Sequence, residues 1–187
     1  ASLRPASRPG RFDDEGTNWR LAVDDGRVAL RDRFRGPVGL DVARSVGDFV
    51  VWTRRGCPSY QLAVVVDDAR QGVTEVVRGD DLLDSAGRQT LLYRALGLGD
   101  GPAWTHLPLV RGPDGRRLAK RHGDTRVDRY RAAGVPAGRV LALLAQWCGV
   151  DAGDGTRAGD LIGRVRLDTI PRHDIIFRPE DDAWLMG

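Results

Sequence analysis

A chain of 187 residues has room for one ordinary domain, or for one and a small appendage. Its 41% hydrophobic and 29% charged residues exclude a wholly disordered chain, and no apolar run approaches the roughly 20 residues that cross a membrane. The net charge of +3 permits a nucleic-acid partner without requiring one, because the cations are almost all arginine and Lys120 is the single lysine.

Cys57 and Cys148 lack CxxC partners, which argues against a disulfide framework or a zinc site and for two reduced thiols. The N-terminus has no signal-peptide core of about 7–15 apolar residues. Because the chain starts at Ala1 and methionine occurs only as Met186, a missing beginning is expected.

Residues 1–16, with Pro5, Pro9 and Gly10, read as a loop or frayed end. Residues 18–23 alternate apolar and polar, Asp24-Asp25-Gly26 makes a turn, and residues 27–30 alternate again, which predicts a β-hairpin. Residues 34–39 lead into another short extended segment, and residues 47–53 are a β-rich run. Residues 60–68 are continuously apolar in the middle and suit a strand or a buried helix, between which periodicity does not decide. Residues 74–79 form a short strand ending in a charged turn. A helix follows, capped by Asp84 or Ser85, with Leu91, Leu92, Ala95 and Leu96 as its stripe and Gly97 as its stop. Residues 104–110 form another strand, and Pro113-Asp114-Gly115 a tight turn. That succession is the order of an open α/β sheet. Pro136 opens the first turn of a helix through Val140, Leu141, Leu144, Trp147 and Cys148, ended by Gly149. A polar, Gly-rich linker over residues 151–159 precedes a short apolar helix start and scattered apolar clusters to the C-terminus.

The turn at residues 113–115 presents Arg116-Arg117-Leu118-Ala119-Lys120-Arg121. One lysine among arginines on a loop suits an anionic phosphate chain, since a compact ammonium can follow charge as it develops on a phosphorus centre. By itself the loop reads first as a solvated basic turn.

It gains specificity from what precedes it. Residues 60–68, the run Gln71-Gly-Val-Thr-Glu-Val-Val-Arg-Gly-Asp-Asp-Leu-Leu83, Arg88-Gln89, His106-Leu-Pro-Leu-Val110 and residues 115–120 appear in that order. The string resembles the second half of the catalytic domain of glutamyl-type class I aminoacyl-tRNA synthetases, densely over residues 47–125. The resemblance implies an α/β fold: the second half of a Rossmann-type catalytic domain with a small, mostly helical C-terminal region. Residues 1–46 would be a β-rich remnant of an acceptor-arm insertion, residues 47–125 the catalytic half with its KMSKS-like loop, and residues 126–187 the helical region after it. Arg117, Leu118, Ala119, Lys120 and Arg121 match that ATP-binding loop, with Lys120 as its catalytic lysine; Arg117 and Ala119 depart from the family's Lys and Ser.

Tyr60 and Arg78 match the positions that bind the amino acid. A guanidinium fork suits a side-chain carboxylate, and Arg78 ends a strand, where α/β sheets place ligands. From the residues alone, a core tyrosine and a surface ion pair stay open as alternatives. Asp67 and Asp68 tempt as a metal or base pair, yet the family's reaction uses an already ionised carboxylate. Asp68 and Asp80 are expected to orient Arg78 or cap backbone, His106 to be structural at a strand end, and His122 and His173 to ligate nothing.

The family's HIGH-like signature and zinc ligands are not found, so the chain reads as a fragment, inactive alone, and zinc is expected only in an N-terminal part. Since 67 residues follow Lys120, the wording and length are closest to the small glutamyl-queuosine members, which lack an anticodon domain. The resemblance then implies L-glutamate, ATP with Mg2+, and tRNA-Asp carrying queuosine as partners, in a monomeric cytoplasmic enzyme with no membrane association. A truncated glutamyl-tRNA synthetase charging tRNA-Glu and a non-catalytic tRNA-binding paralogue are the alternatives.

Overall fold

The alternating segments near the N-terminus do form strands, but not with each other. β1 (Trp19–Leu21) runs antiparallel to β4 (Phe49–Trp52), with Leu21 opposite Phe49, and β2 (Val28–Asp32) runs antiparallel to β3 (Gly36–Leu40). The expected β1–β2 hairpin is therefore wrong. Period-two alternation tells which face a residue takes and is silent about which strand lies alongside. The computed structural model describes residues 16–23, 27–118 and 125–187, so Asp24-Asp25-Gly26 lies outside the described residues. The chain divides into two units, residues 1–106 and 107–187.

In the first unit a four-stranded sheet has the order β3-β2-β6-β5, with β5 at Glu75–Gly79 and β6 at Ala103–Leu107. β2 and β6 are parallel, Asp32 lying beside Trp104. The ambiguous apolar run is helix α2 (Tyr60–Gln71). Ser59 caps it by accepting from the Leu62 N–H, and Gly72 ends it at φ 69°, a left-handed conformation that costs glycine nothing. Of its apolar residues only Val65 is fully buried, the others being half covered between β4 and the next helix.

That helix is α3 (Leu83–Ala95), entered through a 3-10 turn at Asp80–Leu82. Leu82, not Asp84 or Ser85, occupies the N-cap position, because the tighter turn leads straight into the helix without a side-chain cap. The far end is as expected, with Gly97 at φ 71°. At Gly87 a Cβ would fall 2.8 Å from Val42 Cγ2, so glycine lets α3 approach the short helix α1 (Val42–Ser45) and β3 closely. Val23, Val28, Val42, Phe49, Val65, Leu92 and Tyr93 form the core beneath these helices. Burying each such side chain contributes about 1.5–3 kcal/mol, which fixes the sheet ends where the site lies.

The second unit begins at Leu107, the last residue of β6. The single strand expected over residues 104–110 is two: β6 stops at Leu107, Pro108 lacks an N–H for a ladder, and β7 (Val110–Arg111) pairs in parallel with β8 (Ile175–Ile176). Helices α4 (Val127–Ala132), α5 (Ala137–Trp147) and α6 (Pro179–Met186) supply Tyr130, Leu143 and Leu185 to a small core that Phe177, just after β8, completes. Pro136 stands at the N-cap of α5, one residue before the expected place, and Gly149 at φ 77° follows the helix. Among the described residues no helix is long and apolar enough to cross a membrane.

Candidate functional site

The carboxyl ends of β2, β5 and β6 bring three polar side chains into contact: Asp32, Arg78 and His106. Asp32 is 1% exposed. Its Oδ1 accepts from the N–H of Phe34 at 2.9 Å and of Arg35 at 2.7 Å, and its Oδ2 from the N–H of His106 at 3.1 Å. His106 Nδ1 lies 2.7 Å from the same Oδ2. Burial pushes the Asp32 carboxyl up, but the Arg35 N–H, the His106 ring and the N–H groups of Phe34 and His106 outweigh it and hold the group below the ordinary carboxylate value.

An ionised carboxylate only accepts, so the hydrogen on His106 sits at Nδ1. Nε2 then carries the lone pair, and Arg78 Nε donates to it at 3.0 Å. The fully buried imidazole is thus assigned by its neighbours as the neutral Nδ1–H tautomer.

Arg78 also donates from Nη1 to Gln89 Oε1 at 2.9 Å and from Nη2 to the Leu82 carbonyl at 3.1 Å. Its guanidinium lies over the Trp104 ring, 4.7 Å from the centroid, a favourable face for a cation. A guanidinium has five N–H groups. Among the described residues three are engaged by these partners, which leaves one on each terminal nitrogen, the two atoms with which a guanidinium grips a carboxylate. Burial lowers the Arg78 pKa while Tyr60 and Asp68 act electrostatically to raise it; the group stays a cation.

The network continues. Gln89, 2% exposed, donates to Gln61 Oε1 at 2.9 Å; Gln61 donates to Ser85 Oγ at 3.3 Å, and Arg88 Nη2 to the same oxygen at 2.9 Å. α2 thereby ties its first turn to α3, and Tyr60, its first residue, is 63% exposed. A core role for Tyr60 does not hold, and neither does a surface ion pair for Arg78. The structure brings Tyr60 and Asp68 each within electrostatic reach of Arg78. Asp80, expected to orient Arg78 or cap backbone, instead pairs with Arg35 at 2.6 Å, since the 3-10 turn points it toward the β2–β3 connection.

The basic loop belongs to the second unit. Its base is a narrow ribbon: Leu118 N–H donates to the Val110 carbonyl at 3.1 Å, Gly112 N–H to the Arg116 carbonyl at 2.8 Å, and Asp114 accepts from the Arg116 N–H at 2.9 Å. Asp174 clamps this ribbon, accepting from the Leu109 N–H at 2.9 Å and pairing with Arg111. Arg117 is exposed and Leu118 packs toward the small core. Ala119, Lys120 and Arg121 lie outside the described residues. Among the described residues no group of His, Cys, Asp and Glu is arranged to hold a metal ion.

Sequence reading missed Asp32, Gln61 and Asp174 and left His106 without a partner. Asp32 and His106 are 74 positions apart, and only the parallel pairing of β2 with β6 joins them.

The profile of the family described as tRNA synthetases class I (E and Q), catalytic domain, matches residues 4–154. Over 187 residues, 99% of this chain, the sequence is 46% identical to glutamyl-Q tRNA(Asp) synthetase of Symbiobacterium thermophilum and covers 57% of that protein. Glutamate–tRNA ligase 1 of Cereibacter sphaeroides is 46% identical over 125 residues, 67% of this chain and 26% of the ligase. Among solved structures, a glutamate tRNA ligase from Elizabethkingia meningosepticum, in complex with its amino acid, superposes with TM-score 0.72 at 26% identity, over 86% of this chain and 36% of that one. The chain thus spans little more than half the length of the first relative and about a quarter of the second.

Proposed function

Because this chain belongs to the class I tRNA synthetases of the E and Q type, with a mixed α/β, Rossmann-like catalytic fold, we propose that it is the amino-acid-holding second half of an enzyme that activates glutamate with ATP and passes it to queuosine in tRNA-Asp. The observation that carries the reading is Arg78, a rigidly held guanidinium at the carboxyl end of a strand with two N–H groups left for a carboxylate. The likeness to a glutamyl-Q synthetase runs over nearly the whole chain and favours that acceptor.

In this reading the side-chain carboxylate of glutamate sits on Arg78, with the exposed Tyr60 phenol beside it. The α-carboxylate, already ionised, attacks the α-phosphorus of ATP; the bond to the β-phosphate oxygen breaks and pyrophosphate leaves. No protein base is needed. Lys120 follows the charge that builds on the phosphate, within the loop of Arg117, Leu118, Ala119 and Arg121. Magnesium, bound with the nucleotide, would offset the charge of its phosphates. A queuosine hydroxyl then attacks the acyl carbon, AMP departs with its phosphate taking up the hydroxyl proton, and the new ester forms; positioning supplies most of the catalysis. Discrimination against glutamine rests on its neutral amide facing a cation.

We further assign residues 1–46 to the end of an acceptor-arm-type insertion, 47–125 to the catalytic half and 126–187 to the region after the lysine loop. The proposed enzyme is a cytoplasmic monomer. The test is made on the protein at its full natural length: glutamate-dependent exchange of pyrophosphate into ATP without tRNA, followed by transfer of labelled glutamate to queuosine-containing tRNA-Asp or to tRNA-Glu. Exchange without tRNA and transfer to tRNA-Asp are expected. Exchange that needs tRNA-Glu favours the second reading, an ordinary glutamate–tRNA ligase, which the 46% identity to such ligases over 125 residues supports. No exchange at all leaves a non-catalytic paralogue. Lys120→Ala is expected to slow exchange about 100-fold or more, the usual cost of losing a transition-state cation.

A further inference from the structure

Resting on the assignment of Arg78 to the substrate carboxylate, we propose that Asp32 and His106 are positioning residues, which fix the orientation of the Arg78 guanidinium by fixing the tautomer of the imidazole between them. Neither reaches the substrate itself: Asp32 is 1% and His106 0% exposed, and their partners are Arg78 and backbone N–H groups.

The chemistry is a chain of forced choices. Oδ2 of Asp32, 2.7 Å from Nδ1, requires a hydrogen there. Nε2 is then an acceptor, the only state in which it can face Arg78 Nε–H at 3.0 Å. A hydrogen on Nε2 would set two donors against each other and release that edge of the guanidinium. The opposite edge is held by Gln89, itself locked through Gln61 to Ser85, and the flat face by Trp104. Rotation about the last side-chain bonds of Arg78 is thus opposed from three directions, and the two remaining N–H groups are presented in one orientation. Preorganisation of this kind improves ligand affinity without touching the ligand.

Asp32→Asn is nearly isosteric and can keep the Oδ1 bonds to Phe34 and Arg35, but it sets an NH2 group against Nδ1. The imidazole then moves its hydrogen to Nε2. His106→Asn keeps a donor near the Nδ1 position and loses the acceptor toward Arg78. His106→Gln does the reverse, keeping an acceptor near Nε2.

The experiment has two readouts. Nitrogen-15 NMR of the histidine ring in the 187-residue chain is expected to show a pyrrole-like Nδ1 and a pyridine-like Nε2, exchanged in Asp32→Asn. In the full-length protein, pyrophosphate exchange is expected to show a glutamate KM raised about tenfold in Asp32→Asn and His106→Asn, with kcat and the ATP KM within about threefold of wild type, and His106→Gln closest to wild type. A ring protonated at both nitrogens, or an unchanged glutamate KM in Asp32→Asn with the tautomer reversed, overturns the proposal. So does a parallel fall in kcat and rise in ATP KM in all three variants, the mark of a merely structural role. If Asp32→Asn does not fold, the order of the two His106 variants decides. Arg78→Ala separates the levels: an unchanged glutamate KM there defeats the substrate assignment and the relay with it, whereas a raised one beside a normal Asp32→Asn defeats the relay alone.

Discussion

Replacing Arg78 by lysine keeps the charge and removes the fork. Gln89 Oε1, His106 Nε2 and the Leu82 carbonyl surround three different nitrogens of the guanidinium at 2.9, 3.0 and 3.1 Å. An ammonium has three N–H groups on one atom, so it cannot serve these acceptors and also offer two parallel donors to a carboxylate. At least one buried acceptor loses its partner, at a cost of about 1–3 kcal/mol in folding stability. If Arg78 holds the glutamate carboxylate as proposed, one charge-assisted bond is lost as well, about 1.5–3 kcal/mol, which corresponds to a glutamate KM raised some 10- to 150-fold. Urea unfolding of the chain reads the first effect, and initial rates of pyrophosphate exchange in the full-length protein read the second. A lysine variant with unchanged unfolding and unchanged glutamate KM would mean that charge alone suffices, and the fork would lose its place in the mechanism.

Tyr60→Phe should leave unfolding within about 0.5 kcal/mol of wild type, because the ring is 63% exposed, while raising the glutamate KM about tenfold. A clear loss of stability would show the ring to be a packing element after all. Gly149→Ala should destabilise the second unit by about 2–3 kcal/mol, since φ is 77° and the new Cβ would sit 2.7 Å from the Thr169 carbonyl oxygen; a thermal melt matching wild type contradicts this. Tyr130 donates to Asp182 at 2.6 Å, and burial, followed by that hydrogen bond, pushes its phenol up from 10.0 to about 12. A group raised in the folded state stabilises fully below its unfolded value and loses the contribution as pH rises through the folded one. Tyr130→Phe should therefore remove part of the decline in stability between pH 10 and 12. An identical alkaline decline in both proteins counts against the bond.

Local grammar was legible wherever one segment settles its own conformation. Gly97 and Gly149 end their helices because the chain needs positive φ there, and the leucine stripe of α3 announces a helix from within. The segment of α2 reads as strand or helix alike, because the apolar run at its centre masks its cap and stop, Ser59 and Gly72, 13 positions apart. Pairing was not legible: Trp19 meets Trp52 and Asp32 meets Trp104, choices made by the whole core. The candidate site divides the same way. Tyr60 and Arg78 stand within a recognisable string, whereas Asp32 falls between two extended runs, 27–30 and 34–39, and belongs to neither as read from the sequence. Gln89 was visible as a residue, but its place against Arg78 depends on how α3 packs beside β5.

Asp174 ties down the ribbon from which the basic loop springs, though it lies 63 positions beyond Arg111. The family profile stops at residue 154, so the anchor is outside the stretch that carries the shared signature. Here the base of the basic ribbon is fastened by a residue far downstream, and trimming the chain to the profile's edge would leave every signature letter intact while removing the carboxylate that holds Leu109 and Arg111.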